Sequence, residues 1–484
     1  MAVTHDASSS PLHVLVFPWL AFGHMIPFLE LSKRLARRGH AVTFVSTPRN
    51  AARLGAVPPE LSPSLRVATL DLPPVEGLPA GAESTADVPM DKVGLLKAAF
   101  DGLAAPFAAL VAGAGEAPPA SVFETKPDWI VLDFAQNWVL PIAEEHKIPC
   151  AMFLILPAAL LAYIGTRRDN EARPRRTTEE FMAQPPWVPF PSALITYRRH
   201  EAEAIAAAFR PNASGVADVD RLWQLHHPSC RLVVHRSCPD AEPRLFPLLT
   251  SLFGKPVVPA GLLLPGASAA DDDAGDEAFA AAARWLDAQP RRSVVYVALG
   301  SEAPVTAAHV RELAAGLELS GARFLWALRP PSGHTVTAGG GLLPGGFERR
   351  VAGRGAVVTG WVPQVRVLAH AAVGAFVTHC GWGSTAEGLF GFGHPLVMLP
   401  FVADQGLIAR AMAARGVGVE VRREDDAAGA FRGEDVAAAV RRVMEGEEGE
   451  EMTRRAREVK EVVGDRVRQE EYVDELVEYL QRYK

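Results

Sequence analysis

Two residues that could exchange a proton follow predicted strands in the first part of the sequence. His24 comes just after a strand predicted at 13–19, in the turn P-W-L-A-F-G-H, and Asp133 directly follows a strand predicted at 129–132. Because the carboxyl ends of parallel strands meet at one edge of a sheet, where open α/β sheets bind ligands, we expect both side chains there. An imidazole can act as a general base, and a carboxylate on its second nitrogen fixes the tautomer and stabilises the imidazolium. The alternatives are a structural histidine and a carboxylate that caps the next helix.

A second set of residues could bind a diphosphate. A strand predicted at 374–378 leads through His379 and Gly381 into a helix that begins near Gly383. Amides at a helix N-terminus, surrounded by small residues, suit a pyrophosphate. Ser301, which closes another strand, could donate a further hydrogen bond to a phosphate. A plain turn with a capped helix would explain the glycines and Ser384, but not the residues around them.

The residues on either side could hold the rest of a nucleotide sugar. Trp361 could stack on a base, and Gln364 could hydrogen-bond to the edge of that base. Glu387 lies one turn further along the helix, within reach of a ribose. Asp404 and Gln405 follow the next strand and could bind sugar hydroxyls.

Alternating strand and helix patterns must position these residues. In the first half, a strand, a helix and a strand at 13–19, 29–38 and 41–46 form a βαβ unit. The rhythm restarts in the second half, with a helix at 307–319 and strands at 293–299, 323–328, 356–359, 374–378 and 395–399. Near-continuous runs of Val, Ile and Leu predict parallel sheets that are covered on both faces. The Pro-, Gly- and Asp-rich stretch 256–277 indicates a linker between the two blocks.

The last part of the chain, residues 452–484, predicts a charged amphipathic helix. Such a stripe needs a surface on which to pack. Its apolar members are Val462, Val463, Val467, Val473, Leu476, Val477 and Leu480.

The composition excludes several classes of protein. The 484 residues are 49% hydrophobic and 22% charged, which is typical of a globular protein of two or three domains. The net charge of −7, without a basic block, argues against a nucleic-acid partner. Four cysteines without a C-x-x-C pair exclude a disulfide framework and favour a reducing compartment. The N-terminus does not resemble a secretory signal, so we expect a cytoplasmic protein.

Patterns for a metal, a dinucleotide and a membrane span are each weak. Asp218 and Asp220 form a D-x-D, but in a helical stretch, so we interpret them as a solvated face and expect no metal. The first turn has Gly23 alone in place of G-x-G-x-x-G, which argues against a nicotinamide cofactor. Residues 148–166 carry no charge, but prolines interrupt them, which favours a buried strand that runs into a helix over a membrane span.

The stretch from residue 361 to residue 405 closely resembles the signature of plant UDP-dependent glycosyltransferases of secondary metabolism. It contains W-V-P-Q at 361–364, T-H-C-G-W-G-S-T-A-E at 378–387 and G-H-P-L-V-M-L-P-F-V-A-D-Q at 393–405. P-W-L-A-F-G-H at 18–24 and V-A-L-G-S at 297–301 extend the resemblance to nearly the whole chain.

The resemblance implies an α/β protein of the GT-B fold, in which two Rossmann-like domains with parallel sheets face a cleft. Residues 1–250 would bind the acceptor, and residues 251–460, with a linker at 251–280, would bind the UDP-sugar. The helix at 461–484 would pack back on the first domain. We expect a monomer that uses a UDP-sugar as co-substrate, with no bound cofactor, no metal and no membrane span.

The same resemblance implies the chemistry. A hexose would pass from the UDP-sugar to an acceptor hydroxyl with inversion; His24 would deprotonate that hydroxyl, and Asp133 would balance the charge. P-W-L-A-F-G-H and A-L-G-S-E resemble the subgroup that extends the sugars of flavonoid, diterpenoid and triterpenoid glycosides. The alternatives are a non-catalytic protein that binds nucleotide sugars or glycosides, and a nicotinamide-dependent oxidoreductase. The matched positions that would bind the donor are Ser301, Trp361, Val362, Gln364, His379, Gly381, Trp382, Gly383, Ser384, Glu387, Asp404 and Gln405.

Three departures from the family pattern affect the donor. Gly383 replaces the usual Asn, and the lost neutral hydrogen bond would weaken donor binding by ~0.5–1.5 kcal/mol. The block of 45 residues is one longer than usual, with the extra residue at 389–393. Pro157 aligns with the Thr or Ser that contacts the 6-hydroxyl of the sugar, and Val402 replaces a common aromatic residue. A proline would tolerate a 6-deoxy sugar, so UDP-rhamnose rivals UDP-glucose as the donor.

Overall fold

The computed structural model describes residues 10–113, 125–190, 194–264, 277–300, 303–330, 341–360, 362–424 and 429–484. Its strands are β1 His13–Phe17, β2 Ala41–Ser46, β3 Leu65–Thr69, β4 Trp129–Leu132, β5 Cys150–Leu154, β6 Cys230–His235, β7 Val257–Pro259, β8 Val294–Ala298, β9 Arg323–Leu328, β10 Gly355–Thr359, β11 Val373–Thr378, β12 Leu396–Met398 and β13 Gly418–Glu420.

The α-helices follow most of these strands, as the alternating pattern predicts. They are α1 Phe22–Arg37, α2 Pro48–Leu54, α3 Val93–Asp101, α4 Ala104–Ala112, α5 Val139–Glu145, α6 Ala158–Ile164, α7 Arg167–Ala172, α8 Thr178–Met182, α9 Arg199–Ala207, α10 Asp218–Leu222, α11 Leu245–Phe253, α12 Glu277–Asp287, α13 Ala307–Ser320, α14 Phe347–Arg350, α15 Gln364–Ala369, α16 Trp382–Thr385, α17 Gln405–Ala414, α18 Gly433–Met444, α19 Gly446–Val463 and α20 Arg466–Arg482.

The chain divides into two compact units. Unit 1 comprises Met1–Ile155, Phe209–Leu263 and Val467–Lys484, and unit 2 comprises Leu156–Ala208 and Leu264–Arg466. The segment Leu156–Ala208, which the sequence places in a first domain of residues 1–250, therefore groups with unit 2. The physical reason is that Arg198 and Glu201 of this segment form ion pairs with Glu420 and Arg410 of unit 2.

Unit 1 is built on a parallel sheet with the strand order β3-β2-β1-β4-β5-β6-β7. Every residue of β1, β4 and β5 is buried, as expected for strands that are covered on both faces. Phe17 pairs with Leu132, so β1 and β4 end side by side at the same edge of the sheet.

Helix α1 begins earlier than predicted. The sequence predicts a helix at 29–38, but α1 already begins at Phe22 and contains Pro27. A proline inside a helix removes one backbone hydrogen bond, here the one to the carbonyl of Gly23. Packing overrides that penalty, because Met25, Phe28 and Leu31 are buried beneath the helix. As a result, His24 lies in the first turn of α1 rather than in the turn before it.

Unit 2 is built on a second parallel sheet, with the order β10-β9-β8-β11-β12-β13. Ala298 at the end of β8 pairs with Thr378 at the end of β11, so Gly300 and His379 follow neighbouring strands. Buried residues of the sheet, such as Val295, Trp326 and Val377, form a hydrophobic core with residues of α13 and α18.

A π-helix follows α16 directly. Residues Ala386–Gly391 adopt this wider turn, which accommodates one more residue per turn than an α-helix. The sequence places the extra residue of the block at 389–393, and the π-helix overlaps that range.

The C-terminal part is two helices rather than one. Gly464 ends α19, and α20 begins at Arg466, so the apolar stripe is interrupted. Val462 and Val467 are consequently 62% and 72% exposed, contrary to the predicted stripe. Helix α20 belongs to unit 1, where the indole of Trp129 donates to the carbonyl of Leu480 at 2.8 Å. Its buried apolar side chains include Val473, Leu476 and Leu480.

The uncharged stretch 148–166 forms β5 and then α6, which confirms the interpretation as a buried strand that runs into a helix. A different stretch, Met90–Ala112, is long and apolar enough to cross a membrane by length and composition alone. Leu96, Phe100 and Phe107 of that stretch are buried inside unit 1. The absence of a membrane span stays a prediction.

Candidate active site

His24 and Asp133 form a hydrogen-bonded pair at the edge of the unit 1 sheet. The Nδ1 atom of His24 lies 2.7 Å from Oδ2 of Asp133. Both side chains are largely buried, with 9% of His24 and 1% of Asp133 exposed. The sequence predicts this pairing, because the first turn of α1 and the end of β4 meet where β1 and β4 end side by side.

The Asp133 carboxylate is held by several further hydrogen bonds. The backbone N–H of Trp19 donates to Oδ2 at 3.1 Å, and that of Phe134 donates to Oδ1 at 2.7 Å. The alternative role as a helix cap is not what the structure shows, since the next helix, α5, begins only at Val139.

Gln136 completes the support of Asp133 and is a residue that the sequence analysis missed. Its side-chain oxygen accepts from the backbone N–H of Asp133 at 3.0 Å, and its side-chain nitrogen donates to the carbonyl of Phe17 at 2.6 Å. It is fully buried. Gln136 therefore ties the end of β4 to the end of β1.

This arrangement determines what His24 can do. A carboxylate only accepts hydrogen bonds, so in the neutral imidazole Nδ1 is the nitrogen that carries the proton. Nε2 is then the atom that can take a proton from a substrate hydroxyl, and Asp133 stabilises the imidazolium that forms.

In unit 2, His379 lies in a narrow space between two glycines. A Cβ atom on Gly300 would lie 2.4 Å from Cε1 of His379, and one on Gly381 would lie 2.5 Å from Nε2. Any side chain at either position would displace the imidazole. The next residue, Cys380, has φ of 65°, so the turn after β11 is in the left-handed region that non-glycine residues rarely adopt.

The His379 imidazole is neutral at neutral pH. It is buried, and burial lowers its pKa from 6.5 to about 4. No described residue forms a hydrogen bond with Nδ1. His379 can therefore offer a phosphate a hydrogen bond, but not a positive charge.

The helix after His379 begins without a side-chain cap. Gly381 is the N-cap residue, and no side chain accepts from the first amides of α16. Gly383 and Ser384 are half-buried in its first turn. Trp382 is different, because its ring is buried and packs against Phe390 in a T-shaped arrangement, with the ring centroids 5.9 Å apart.

Gln364, Ser384 and Glu387 lie together beside this helix. The side-chain nitrogen of Gln364 donates to Oε2 of Glu387 at 2.7 Å and to Oγ of Ser384 at 3.4 Å. Val362 is buried next to Pro363, just before α15. Gln364 precedes Ser384 by 20 residues and Glu387 by 23 residues in the sequence, and the structure brings the three side chains together.

Asp404 is the N-cap residue of α17 and ends a tight turn after β12, and Gln405 is the first residue of that helix. The side-chain oxygen of Gln405 accepts from the backbone N–H groups of Phe401 and Val402 at 2.8 and 3.1 Å. Ala403 has φ of 54°, again in the left-handed region. Both Asp404 and Gln405 are buried.

Three further positions that the sequence predicts for the donor site are Pro157, Ser301 and Trp361. Pro157 is buried and is the N-cap residue of α6 in unit 2. Ser301 and Trp361 lie outside the described residues.

Comparisons with known proteins decide the family. The family profile described as "UDP-glucoronosyl and UDP-glucosyl transferase" matches residues 252–457. UDP-glycosyltransferase 91C1 of Arabidopsis thaliana is 41% identical over 477 residues, which cover 98% of each chain. The chain belongs to the UDP-glycosyltransferase family.

Two further proteins relate this glycosyltransferase to known ones. The soyasaponin III rhamnosyltransferase of Glycine max is 35% identical over 489 residues, covering 100% of this chain and 98% of that one. The crystal structure of Arabidopsis thaliana UGT89C1 complexed with UDP-L-rhamnose has a TM-score of 0.71 and 25% identity, covering 98% of this chain and 100% of that one. The GT-B fold and the assignment as a glycosyltransferase enzyme of plant secondary metabolism are confirmed, and the two alternative functions gain no support.

The prediction that the glycosyltransferase uses no metal stays a prediction. Within the part of the chain that the structure describes, no three His, Cys, Asp or Glu side chains are grouped to hold an ion. Asp218 of the D-x-D accepts hydrogen bonds from Lys97 at 2.5 Å and from Asn212 at 3.1 Å.

Proposed function

We propose that the enzyme transfers a hexose from a UDP-sugar to a hydroxyl of a glycosylated small molecule, with inversion and without a metal. The observation that supports this most directly is the 2.7 Å hydrogen bond between His24 and Asp133, which leaves Nε2 of His24 as the proton acceptor.

The reaction is a single displacement. The acceptor O–H gives its proton to Nε2 of His24, and its oxygen attacks the anomeric carbon of the sugar. The bond between that carbon and the phosphate oxygen breaks, and UDP leaves with the electron pair. Attack from the side opposite the leaving group inverts the anomeric configuration. Asp133 offsets the positive charge that remains on His24.

Unit 2 supplies the donor contacts in this proposal. The uncapped amides around Gly381, Trp382, Gly383 and Ser384, together with His379 and Ser301, contact the diphosphate. Trp361, Val362 and Gln364 hold the uracil, and Glu387 holds the ribose. Asp404 and Gln405 bind hydroxyls of the sugar. Helix-end amides and a neutral histidine meet the phosphates, which is consistent with a chain whose net charge is −7.

The acceptor class follows from the sequence resemblance and from one relative. We propose a flavonoid, diterpenoid or triterpenoid that already carries a sugar. The name of the soybean relative states that it acts on a soyasaponin, and saponins are glycosides. We further propose that the enzyme acts as a monomer in the cytoplasm.

An assay by mass tests the function directly. The purified enzyme is incubated with UDP-glucose or UDP-rhamnose and a panel of flavonoid and terpenoid glycosides. Transfer adds one hexose or one deoxyhexose to an acceptor and releases UDP. If UDP-sugars and glycosides bind but no acceptor gains mass, the protein is a binding protein instead.

The same assay with Pro157→Thr tests the identity of the sugar. Pro157 offers no side-chain hydrogen bond, whereas a threonine hydroxyl could bond to the 6-hydroxyl of glucose, a bond of about 0.5–1.5 kcal/mol. We expect the ratio of kcat/KM for UDP-glucose over UDP-rhamnose to rise severalfold. An unchanged ratio would refute the role of residue 157. Pro157→Ala, which removes the ring without adding a donor, is the matched control.

A further inference from the structure

A largely buried ion pair connects the segment Leu156–Ala208 to helix α17 inside unit 2. Glu201 of α9 is only 2% exposed, although it carries a carboxylate. Its Oε2 lies 2.9 Å from Nη2 of Arg410, and its Oε1 accepts from Nη1 of Arg410 at 3.2 Å. The two side chains therefore meet as a bidentate pair, the geometry that guanidinium and carboxylate favour.

The Glu201 carboxylate also lies directly against the start of α17. A Cβ atom on Gly406 would be 2.2 Å from Oε1 of Glu201, so any side chain at position 406 would displace the carboxylate from Arg410. Gly406 follows Gln405, and Arg410 lies about one turn further along the same helix. Glu201 thus fixes α17 at its first turn by close packing and at its second turn by the ion pair.

Other bonds hold the same corner of unit 2. Nη2 of Arg410 also donates to the carbonyl of Thr196 at 2.6 Å. Arg198 forms an ion pair at 2.6 Å with Glu420, which is the last residue of β13, the strand after α17. The guanidinium of Arg423 donates to the carbonyl of Pro400, at the start of the loop that carries Asp404.

These contacts explain how the strained backbone conformation of the turn before Asp404 is stabilised. Ala403, immediately before Asp404, has φ of 54°, and a non-glycine residue holds such a conformation only when its surroundings enforce it. The arginine-to-carbonyl bond at Pro400 restrains the turn on one side, and the Glu201 contact with Gly406 restrains it on the other.

We propose that Glu201 and Arg410 are positioning residues for donor-sugar recognition. They set the place of Asp404 and Gln405, and they act on the sugar through those two residues rather than by touching it. The inference rests on the proposed contact of Asp404 and Gln405 with the sugar. It gives the segment Leu156–Ala208 a part in choosing the donor.

The test compares UDP with UDP-sugars in Glu201→Gln. The amide keeps the shape of the side chain but leaves the partly buried Arg410 charge without its carboxylate partner. We expect KM for UDP-glucose and UDP-rhamnose to rise at least about fivefold, while the Kd of UDP alone changes by less than about twofold. The ratio of the two sugars should shift as well. A general loosening of unit 2 would weaken UDP and the UDP-sugars together, and that result would overturn the proposal.

Two further variants keep the test decisive. If Glu201→Gln does not fold, Arg410→Lys retains the charge, loses the bidentate geometry and should show the same split between UDP and UDP-sugar. Glu448→Gln removes one partner of an ion pair whose side chains are both more than half exposed, and it should leave all constants unchanged. Unchanged UDP-sugar constants in the Glu201 and Arg410 variants would also overturn the proposal.

Asp404→Asn separates this inference from the proposed function. If Asp404→Asn weakens UDP-sugars and the Glu201 variants do not, only the positioning role fails. If Asp404→Asn has no effect on UDP-sugar binding, the proposed sugar contact itself fails.

Discussion

The two parallel sheets carry polar residues at their carboxyl edges, but they use them in opposite ways. In unit 1, the Asp133 carboxylate accepts hydrogen bonds from His24, Trp19 and Phe134. In unit 2, the turn after β11 presents uncapped helix amides, and no described residue bonds to Nδ1 of His379. The Asp133 carboxylate is thus hydrogen-bonded within the protein, whereas the amides of α16 and Nδ1 of His379 can still form hydrogen bonds with a ligand.

This difference fits two separate tasks, because a general base has to be preorganised and a diphosphate site has to bind a ligand. A general base must point in one direction before the substrate arrives, because misalignment is costly in rate. A diphosphate site must instead offer groups that only the ligand satisfies. The glycines on both sides of His379 fix the position of its ring by packing, without using its hydrogen bonds.

The substitution His24→Ala is expected to have the largest effect and tests the catalytic role assigned to unit 1. We expect kcat to fall by about 10³-fold or more, because the acceptor loses its base, while UDP binds as before. Steady-state kinetics and titration with UDP measure the two effects. Turnover close to that of the parent enzyme would show that His24 is not the base.

Gly381→Ala tests the packing around His379 in unit 2. The added methyl group would overlap the imidazole, and overpacking of this kind costs about 1–3 kcal/mol, so KM for the UDP-sugar should rise roughly tenfold. Gly345→Ala, where a Cβ atom meets nothing within 4 Å, is the matched control and should leave KM unchanged. Equal effects in both variants would contradict a specific role for the space around His379.

The uncharged state of His379 predicts a pH dependence of stability. Burial lowers the pKa of both His379 and His394 from 6.5 to about 4. Between those values the unfolded chain binds protons that the folded chain does not, so the free energy of unfolding falls as the pH falls. From pH 7 to pH 5 each histidine should account for about 2 kcal/mol, as measured by urea unfolding.

A substitution isolates the contribution of His379. The drop between pH 7 and pH 5 should be about 2 kcal/mol smaller in His379→Gln than in the parent protein. If the drop is the same in both proteins, His379 takes up its proton equally in the folded and unfolded chains, which would contradict the lowered pKa.

Gly383→Asn is expected to have the smallest effect. An asparagine would restore one neutral hydrogen bond to the diphosphate, which is worth about 0.5–1.5 kcal/mol, so the donor should bind about two- to tenfold tighter. UDP titration measures the gain. Weaker binding would indicate that the half-buried position does not admit the longer side chain.

The sequence predicts the parts of this protein that depend on local patterns. His24, Asp133, His379 and Asp404 are recognisable because each follows a strand, and strand ends can be read from hydrophobic runs. The start of α1 is not recognisable in this way, because Pro27 disfavours a helix that tertiary packing nevertheless enforces.

Long-range contacts account for what the sequence did not reveal. Glu201 and Arg410 are separated by 209 residues, and each alone has the pattern of an ordinary surface charge. Gln136 lies close to Asp133 in the chain, but its link to Phe17 spans 119 residues. Nothing in a single sequence marks such pairs, so the supports of the site were harder to predict than the site itself.

The π-helix after α16 can accommodate an additional residue in the chain without a change in the strand pairing that follows it. The contact of Glu387 with Gln364 lies before the extra residue, and β12 pairs with β11 in regular parallel register after the wide turn. A relative that is one residue shorter here could run as an ordinary α-helix and present the same contacts. An alignment that matches this stretch column by column would assign residues after Glu387 to the wrong neighbours, although their positions in space agree.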